Sequence, residues 1–349
     1  MLINLLFVSM DMKEGNCMIA LKGRAANEQL FDLVLSPLRW QVLNIGLELE
    51  IFDALKSEPD AARLALSLKL NQVALTLMLD AMCNQGFVEK ENGLYRLSSL
   101  FEPYIISNSQ RSMRSMLLHL AKVKHASDED VINMLRTGES KHLASQFATA
   151  DFWQKSIDNL RSFHLSMSVT TMSELILNLP EWSRVKRWLD LGAGSECLAL
   201  NMINGCEGLD TSVFDLAPSA EKIQQNILKT GINVISGDYN VDDLGEDYDL
   251  IWSSMSLYYA KNLDALLTKI LLSLSQGGMF VSLHEGLTHE RTLPEQHVLG
   301  RIIPALSGMD VSFDKGFIAE RMLAIGFSRV ESKTVKTPYG PMELDVGYR

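Results

Sequence analysis

A strand, a glycine-rich turn and a helix follow one another between residues 187 and 203, and this unit limits the fold more than any other stretch of the chain. Residues 188–191 predict a short buried strand. Gly192 and Gly194 have no Cβ atom and allow a tight turn, and the apolar run at 198–203 predicts the start of a helix. Such a unit places backbone N–H groups and a helix N-terminus at the mouth of a crevice, where a nucleotide-like ligand can bind.

The residues beside this turn indicate a cofactor that has a ribose but no phosphate. Phosphate-binding turns usually continue to a third glycine, whereas this chain has Glu196 and Cys197 at that point. The carboxylate of Glu196 would repel a pyrophosphate, which disfavours a dinucleotide. About twenty residues after the glycines, Asp215 ends a second apolar run, where an acid can accept hydrogen bonds from ribose hydroxyls. The alternative is that Asp215 only caps the helix predicted to begin near Pro218.

Length, charge and cysteine usage exclude several classes of protein. The 349 residues are enough for two domains with a sizeable core. The net charge of −11 argues against a nucleic-acid or anionic membrane surface, because phosphate contacts depend on Lys and Arg. The four cysteines show neither a C-x-x-C pair nor zinc spacing, so we expect reduced thiols and a cytoplasmic location. We predict no metal site, since the acids at 242–247 are typical of a solvated loop.

The sequence predicts four regions. Residues 1–29 form an N-terminal arm with an apolar start that is too short to span a bilayer; a docking arm, a disordered tail and a misread start codon all remain open. Residues 30–109 show helical periodicity and then two short strands around Asn92-Gly93, which is a winged-helix pattern. Residues 110–180 are predicted to be helical, and residues 181–349 to form the ligand-binding domain.

The winged-helix pattern allows two functions. A DNA reader would carry basic residues on its second helix, but residues 72–82 contain neither Lys nor Arg. We therefore predict a dimerisation module and a homodimer, with no nucleic-acid and no membrane partner.

Strands and helices alternate from residue 181 onwards, which predicts a doubly wound parallel sheet. Strands are predicted at 188–191, 213–216, 233–236, 248–252 and 279–283, with a helix at 263–274. Ligands of such sheets bind at the carboxyl ends of the strands. The side chains at or just past these ends are Gly192, Gly194, Asp215, Asp238, Tyr239, Ser253, Tyr258 and Glu285.

Five motifs in chain order resemble the class I S-adenosylmethionine (SAM)-dependent methyltransferases, in particular the caffeate and hydroxyindole O-methyltransferase type with its bacterial polyketide-tailoring members. They are L-D-L-G-A-G, F-D-L, G-D-Y-N, Y-D-L-I-W-S-S-M-S-L-Y-Y and G-G-M-F-V-S-L-H-E. The resemblance covers nearly the whole chain. It implies a Rossmann-like catalytic domain at 181–349 after a winged-helix dimerisation domain, with a final strand at 337–344.

The same resemblance implies SAM as the cofactor and assigns residues to its parts. Gly192 and Gly194, with Ala193 between them, would contact the methionine end. Asp215, followed by Leu216, would contact the ribose. The adenine would lie at Asp238 and Tyr239, and the carboxylate side of the sulfonium near Ser253 and Ser254.

The usual catalytic histidine of the plant-type members is absent. The motif alignment puts Tyr258 at its position, where the family uses a His to deprotonate the acceptor. Glu285 matches the first acid that steadies that His, and Ser312 replaces the second, with Asp310 and Asp314 close by. A Tyr with an ordinary pKa of about 10 is a poor base at pH 7. We therefore expect Tyr258 to orient the nucleophile or to pack against it.

Three histidines are alternative bases: His164, His284 and His289. We favour His284 among them because it precedes Glu285 at a strand end, although a lone His is more often structural. The acceptor pocket is predicted between the helices of 150–180, the Tyr258 loop and residues 285–317. Its candidate lining residues, for which core packing is the alternative, are Trp153, Phe163, His164, Met167, Met255, Met309 and Phe313.

Together these features predict a homodimeric, cytoplasmic SAM-dependent methyltransferase that acts on a small aromatic or cyclic metabolite. The acceptor atom (O, N, S or C) is left open. Two alternatives stay open as well. A SAM-binding protein of this fold could perform decarboxylation or hydroxylation, which also fits the loss of the His, and a winged-helix regulator could use SAM as its effector.

Overall fold

The computed structural model describes residues 25–349 except 125, 139–149, 229, 309 and 311, and gives only the backbone at 122–124 and 150–156. Most of the predicted N-terminal arm lies outside the described residues. The described chain consists of a helical N-terminal part with one hairpin, a run of helices, and a seven-stranded sheet covered by helices.

The N-terminal part has the predicted order of helices followed by a hairpin. Asp60 and Asn71 cap the third and fourth helices, each accepting a backbone N–H of the first turn. Asn92 and Gly93 both have positive φ, as a two-residue hairpin turn requires. The elements are α1 (Ala26–Glu48), α2 (Ile51–Leu55), α3 (Ala61–Leu68), α4 (Gln72–Asn84), β1 (Val88–Glu91) and β2 (Leu94–Leu97).

These elements bury an apolar cluster of their own that includes Phe52, Leu64, Leu79 and Tyr95. The N-terminal half of α1 contributes little to it. Five large apolar side chains there are more than half exposed, namely Leu30, Phe31, Leu33, Val34 and Leu38. A helix face of this kind indicates contact with a partner surface.

Helices connect the N-terminal part to the sheet. A π-helical turn (His164–Ser168) joins the last two of them, so that one continuous helical run extends from residue 150 to 177. Such turns are frequent at functional sites. The helices are α5 (Glu102–Ile105), α6 (Arg114–Lys124), α7 (Asp128–Thr137), α8 (Ala150–Phe163) and α9 (Val169–Leu177).

The central sheet has the strand order β10-β11-β7-β6-β3-β4-β5. Strands β3 to β7 are parallel, β11 is antiparallel to β7, and β10 is antiparallel to β11. The strands are β3 (Arg187–Leu191), β4 (Asp210–Asp215), β5 (Asn233–Ser236), β6 (Tyr248–Ser254), β7 (Leu274–His284), β10 (Arg329–Thr337) and β11 (Gly340–Tyr348), with the short β8 (Gly286–Leu287) and β9 (Phe313–Asp314) apart from it. The helices that follow β3 are α10 (Cys197–Gly205), α11 (Ala217–Asn226), α12 (Leu263–Ser273), α13 (Glu295–Leu306) and α14 (Phe317–Ile325).

The five predicted strands are parallel as expected, and β10 and β11 add an antiparallel hairpin at one edge of the sheet. The predicted final strand at 337–344 was misplaced, because Thr337 ends β10 and the last strand runs from Gly340 to Tyr348. Most side chains of β10 are exposed and polar, so the edge strand gave little apolar signal. Strand β7 begins at Leu274, earlier than the predicted residue 279.

Both faces of the sheet are covered, which explains the nearly continuous apolar runs of β6 and β7. Leu250 and Trp252 belong to the cluster on the face of α9 and α10, whereas Tyr248 and Ile251 belong to the cluster on the face of α12 and α14. Because β3, β4 and β6 are parallel neighbours, their carboxyl ends meet along one rim of the sheet.

No single described helix has the length and apolar composition to cross a membrane. Helices α3 and α4 have that length and composition only when they are taken together, and the pair is bent by 115°.

Candidate active site

Both the backbone conformation and the close neighbours of the turn after β3 require glycine at positions 192 and 194. Gly192 has φ of +72° and Gly194 has φ of +65°, values that other residues adopt only with strain. A Cβ atom on Gly192 would lie 2.7 Å from the Cβ and Oγ atoms of Ser256. One on Gly194 would lie 3.2 Å from Cδ1 of Leu160. The turn is therefore packed between the loop after β6 and helix α8.

Two acids lie beside this turn, the buried Asp190 and the partly buried Asp215. Asp215 accepts the Gly194 N–H through Oδ2 and the Leu216 N–H through Oδ1, both at 2.7 Å. Burial raises the pKa of Asp215, although these N–H groups oppose the rise. Burial, and then the charge of Asp215, raises the pKa of Asp190 on β3 well above its usual range. Neither acid forms an ion pair within the described part of the chain, so together they favour a cationic ligand.

Asp215 does more than cap a helix. Leu216 is the N-cap residue of α11, and no side chain caps that helix end. The carboxylate of Asp215 instead reaches across to the neighbouring strand's turn at Gly194.

The turn after β5 brings Tyr239 to the same rim. Its hydroxyl donates to the Ser256 carbonyl at 2.7 Å, and its ring lies 3.9 Å from the Cβ position of Gly192. Burial raises the pKa of Tyr239 well above its ordinary value. Asp238 accepts the backbone and side-chain N–H groups of Asn240, which lower the pKa of Asp238. Asp238 thus shapes the turn that presents Tyr239.

Serines at the end of β6 complete the rim. The hydroxyls of Ser253 and Ser256 lie 2.7 Å apart, and Ser256 donates to the Leu191 carbonyl at 3.3 Å. The buried Ser254 hydroxyl has no hydrogen-bond partner among the described residues. Met255 follows with φ of +51°, a conformation that is uncommon for a side-chain-bearing residue. The sequence analysis missed Ser256, because its contact with Gly192 joins residues that are far apart in the chain.

Glu196 is placed differently from the expectation that its charge faces the crevice. It is 2% exposed at the N-terminus of α10 and pairs with Arg161 of α8 at 2.6 Å. Its side chain makes no capping hydrogen bond to that helix end, and the Ser195 oxygen accepts the Cys197 N–H instead. The negative charge of Glu196 beside the turn is therefore balanced by Arg161 rather than left unpaired.

Tyr258 and Glu285 come together beyond the ends of β6 and β7. The backbone N–H of Glu285 donates to the Tyr258 hydroxyl at 3.0 Å, and the Tyr258 ring stacks on Phe313 with centroids 5.1 Å apart. Burial, and then the charge of Glu285, raises the pKa of Tyr258 well above its ordinary value. The hydroxyl therefore stays protonated at neutral pH, which suits a hydrogen-bond donor to a nucleophile.

His284, the favoured alternative base, is enclosed at the end of β7. Its ring is 1% exposed, with Nδ1 3.1 Å from the Ser282 hydroxyl and Nε2 3.6 Å from Oδ2 of Asp345. Burial lowers the pKa of His284 to about 4. The ring meets Phe313 edge-on with centroids 6.0 Å apart, and Phe313 separates it from Tyr258. His289 lies in an exposed turn beside Thr288.

His164 is the histidine that contacts the glycine turn. It opens the π-helical segment, and its Nδ1 lies 2.6 Å from the Ser195 hydroxyl. Its Cε1 is 3.7 Å from the Cβ position of Gly194. Burial lowers the pKa of His164 to about 4, although the charge of Glu196 opposes the shift. The ring is neutral at pH 7.

Several predicted pocket residues lie around this rim. The Phe163 ring packs on Tyr339 with centroids 5.1 Å apart, and Met167 lies within the π-helical segment. Phe313 packs on Tyr258, and Met255 follows β6. The side chain of Trp153 and the whole of Met309 lie outside the described residues. The sequence analysis placed Tyr339 in a strand, but it lies in the β10–β11 turn, and its buried hydroxyl has no described partner.

Ser312 replaces the second acid of the family, and the two acids near it, Asp310 and Asp314, have different surroundings from Ser312. Asp310 pairs with Arg291 at 3.3 Å and Arg301 at 3.1 Å, and Asp314 pairs with Arg291 at 3.3 Å. Because these ion pairs are largely exposed and already engage both carboxylates, neither acid is placed to position a catalytic side chain. The Ser312 hydroxyl is buried without a partner among the described residues.

Comparison with known proteins agrees with this geometry. A sequence-family profile described as a methyltransferase domain matches residues 166–303, which include the glycine turn and the ends of β4 to β7. The match also includes most of the π-helical segment and all of α9.

Two curated relatives and one solved structure are similar to this chain. PigF of Serratia sp., named a SAM-dependent methyl transferase, is 23% identical over 332 residues, which cover 88% of this chain and 91% of PigF. Mouse acetylserotonin O-methyltransferase is 27% identical over 214 residues, 56% of this chain and 55% of the relative. The structure of human N-acetylserotonin methyltransferase in complex with SAM has a TM-score of 0.76 at 20% identity and covers 94% of this chain and 99% of that one.

The burial of His164 predicts a measurable pH dependence of stability. Its pKa is about 4 in the folded protein, against an ordinary value of 6.5. Between these values the unfolded chain binds a proton that the folded protein does not, so stability present above pH 6.5 is lost as pH falls. From pH 7 to pH 5 the unaltered protein should lose about 1–2 kcal/mol more free energy of unfolding than His164→Asn.

Urea unfolding at pH 7, 6 and 5 measures this difference. His289→Asn is the matched control, because His289 is exposed. Parallel pH dependences for the unaltered protein and His164→Asn would show that the folded protein does not disfavour the protonated ring.

Proposed function

We propose that this protein transfers the methyl group of SAM to a small aromatic or cyclic metabolite. The observation that carries the proposal is a pair of acids without an ion pair among the described residues, the buried Asp190 and the partly buried Asp215, at a glycine turn where Glu196 already pairs with Arg161. That arrangement suits a ligand with a ribose, positive charge and no phosphate. SAM has a ribose, a sulfonium and an ammonium group. The name of PigF supports a SAM-dependent methyltransferase, and the names of the acetylserotonin relatives support an O-methyltransferase.

The residues at the rim fit such a ligand. In our proposal Gly192, Ala193 and Gly194 border the methionine end, where added side chains would meet Ser256 and Leu160. Asp215 and Leu216 serve the ribose, and Asp238 and Tyr239 the adenine. Ser253 and Ser254 serve the carboxylate side. The partnerless Ser254 hydroxyl is a buried polar group that a ligand would satisfy.

The chemistry assigned to the chain's own residues is mainly positioning. Methyl transfer from a sulfonium is an in-line displacement, which is accelerated when nucleophile and methyl group are held about 3–3.5 Å apart. In our proposal the acceptor lies between Phe163 and Met167 on one side and Tyr258 and Phe313 on the other, with Trp153 and Met309 as further candidate lining residues. The Tyr258 hydroxyl orients the nucleophile, and Glu285 holds Tyr258. An acidic phenol, an amine, a thiol or a stabilised carbanion would need least help with deprotonation.

Binding and transfer of label test this proposal directly. Calorimetry should detect binding of SAM and S-adenosylhomocysteine (SAH) but not of NAD, and methyl-labelled SAM should yield a labelled product with a panel of phenols and hydroxylated heteroaromatics. Asp215→Ala should weaken SAH binding about tenfold to a hundredfold, because it removes a charged hydrogen-bonding group. Asp210→Asn, at the exposed start of the same strand, is the control.

Three outcomes would contradict the proposal. Tight NAD binding without SAM binding would overturn the cofactor. SAM binding with unlabelled product would favour decarboxylation or hydroxylation. A salt-sensitive gel shift with DNA would favour the regulator.

Replacing Tyr258 separates orientation from base catalysis. Tyr258→Phe should lower kcat by less than about tenfold, because a neutral hydrogen bond contributes about 0.5–1.5 kcal/mol. Loss of a general base would instead cost about a hundredfold or more. The measurement is kcat for any acceptor that incorporates label, with Tyr259→Phe as the control. A loss of a hundredfold or more would assign Tyr258 to the chemical step.

The proposal includes a cytoplasmic homodimer formed through helix α1. The exposed apolar residues of α1 support a partner surface, and the free thiols of Cys83, Cys197 and Cys206 suit a reducing compartment. Light scattering at micromolar concentration should give twice the chain mass of 39.0 kDa. Phe31→Asp should shift it towards one chain, whereas Leu272→Asp, equally exposed on α12, should not. A single-chain mass for the unaltered protein would overturn the dimer.

A further inference from the structure

One face of helix α8 and the following π-helical segment meets the glycine turn through three consecutive residues of that turn. Leu160 approaches Gly194, His164 contacts Ser195, and Arg161 pairs with Glu196. Leu160 and His164 are four residues apart and lie on the same helix face. We call this set of contacts the latch.

The ion pair is the part of the latch with the largest energetic consequence. Glu196 is 2% exposed, whereas Arg161 is 45% exposed, and Nε of Arg161 lies 2.6 Å from the Glu196 carboxylate. Removal of one partner of such a pair leaves an uncompensated buried charge, which is strongly destabilising. A second ion pair of α8, between Asp158 and Lys222 of α11, is mostly exposed at 3.9 Å and contributes little. Helix α8 is therefore tied specifically to the glycine turn.

The histidine contact acts on the start of helix α10. The Ser195 oxygen accepts the Cys197 N–H at 3.3 Å, and the same hydroxyl lies 2.6 Å from Nδ1 of His164. The neutral ring can accept the hydroxyl hydrogen while the oxygen holds the first N–H of α10. His164 thus connects the π-helical segment to the backbone that follows Gly194.

The same stretch of this helical run also borders the acceptor side of the rim in our proposal. Phe163 packs on Tyr339, and Met167 lies in the same π-helical segment as His164. A displacement of the latch would move this wall relative to the glycine turn. Reaction geometry in an in-line displacement is sensitive to errors of about 1 Å.

We propose that Arg161 and His164 are positioning residues for the methyl donor, because they hold the acceptor-side helix against the turn that takes the donor's methionine end. This inference rests on the proposed function. The latch covers the turn from the side of α8, so release of the donor or its product requires the latch to loosen. Loss of either contact then speeds release.

Stopped-flow measurement of SAH dissociation from the full-length protein tests the latch without an acceptor. Arg161→Gln and His164→Ala should each raise the dissociation rate constant about tenfold, as expected for loss of one charged or buried hydrogen bond. His164→Asn should restore it to within about threefold, since the amide can replace Nδ1. Arg161→Gln/Glu196→Gln should be closer to the unaltered protein than Arg161→Gln alone, because the double change removes the unpaired charge.

Arg63→Gln is the matched control, because Arg63 forms a comparable pair with Glu58 in the N-terminal part at 3.1 Å. Unfolding midpoints of every variant are measured alongside. The latch would be overturned if Arg161→Gln and His164→Ala released SAH at the same rate as the control. It would also be overturned if their rates changed only in proportion to lost stability. The proposed function would stand in both cases. Absence of SAH binding to the unaltered protein would overturn the proposed function, and the latch with it.

Discussion

The left-handed backbone at Gly192, in contact with Ser256, is the constraint on which the rest of the site depends. No side chain fits between these residues, so the end of β3 and the loop after β6 are fixed against each other. The hydrogen bond from Gly194 to Asp215 adds the end of β4, and the hydrogen bond from Tyr239 to the Ser256 carbonyl adds the turn after β5. Four chain segments are held at one rim by a few short contacts.

The rigid rim fixes the positions of three acidic side chains. The buried Asp190 and the partly buried Asp215 lie near each other at a cost in free energy that a bound cation would offset. Glu196 has its own counter-charge in Arg161. The rim therefore combines two acids without an ion pair among the described residues and one acid that is neutralised.

The glycine turn and its contact with the end of the next strand could be predicted from the sequence because their signals are local. Gly192 and Gly194 follow a strand directly, and Asp215 closes the next strand. The contacts between distant segments, such as Arg161 with Glu196 and Phe163 with Tyr339, leave no local pattern. The surroundings of His284 could not be predicted for the same reason, since Asp345 and Phe313 are far from it in the chain.

The hairpin at the edge of the sheet has a consequence for how the chain is made. Strand β11 (340–348) lies between β7 and β10, with Leu344 opposite Leu283 and Val346 opposite Val281. A nascent chain has β3 to β7 outside the ribosome well before β11 emerges. During that interval β7 is an unpaired apolar edge, open to chaperones and to other chains. Folding of the catalytic half is therefore completed only after residue 348 has been synthesised.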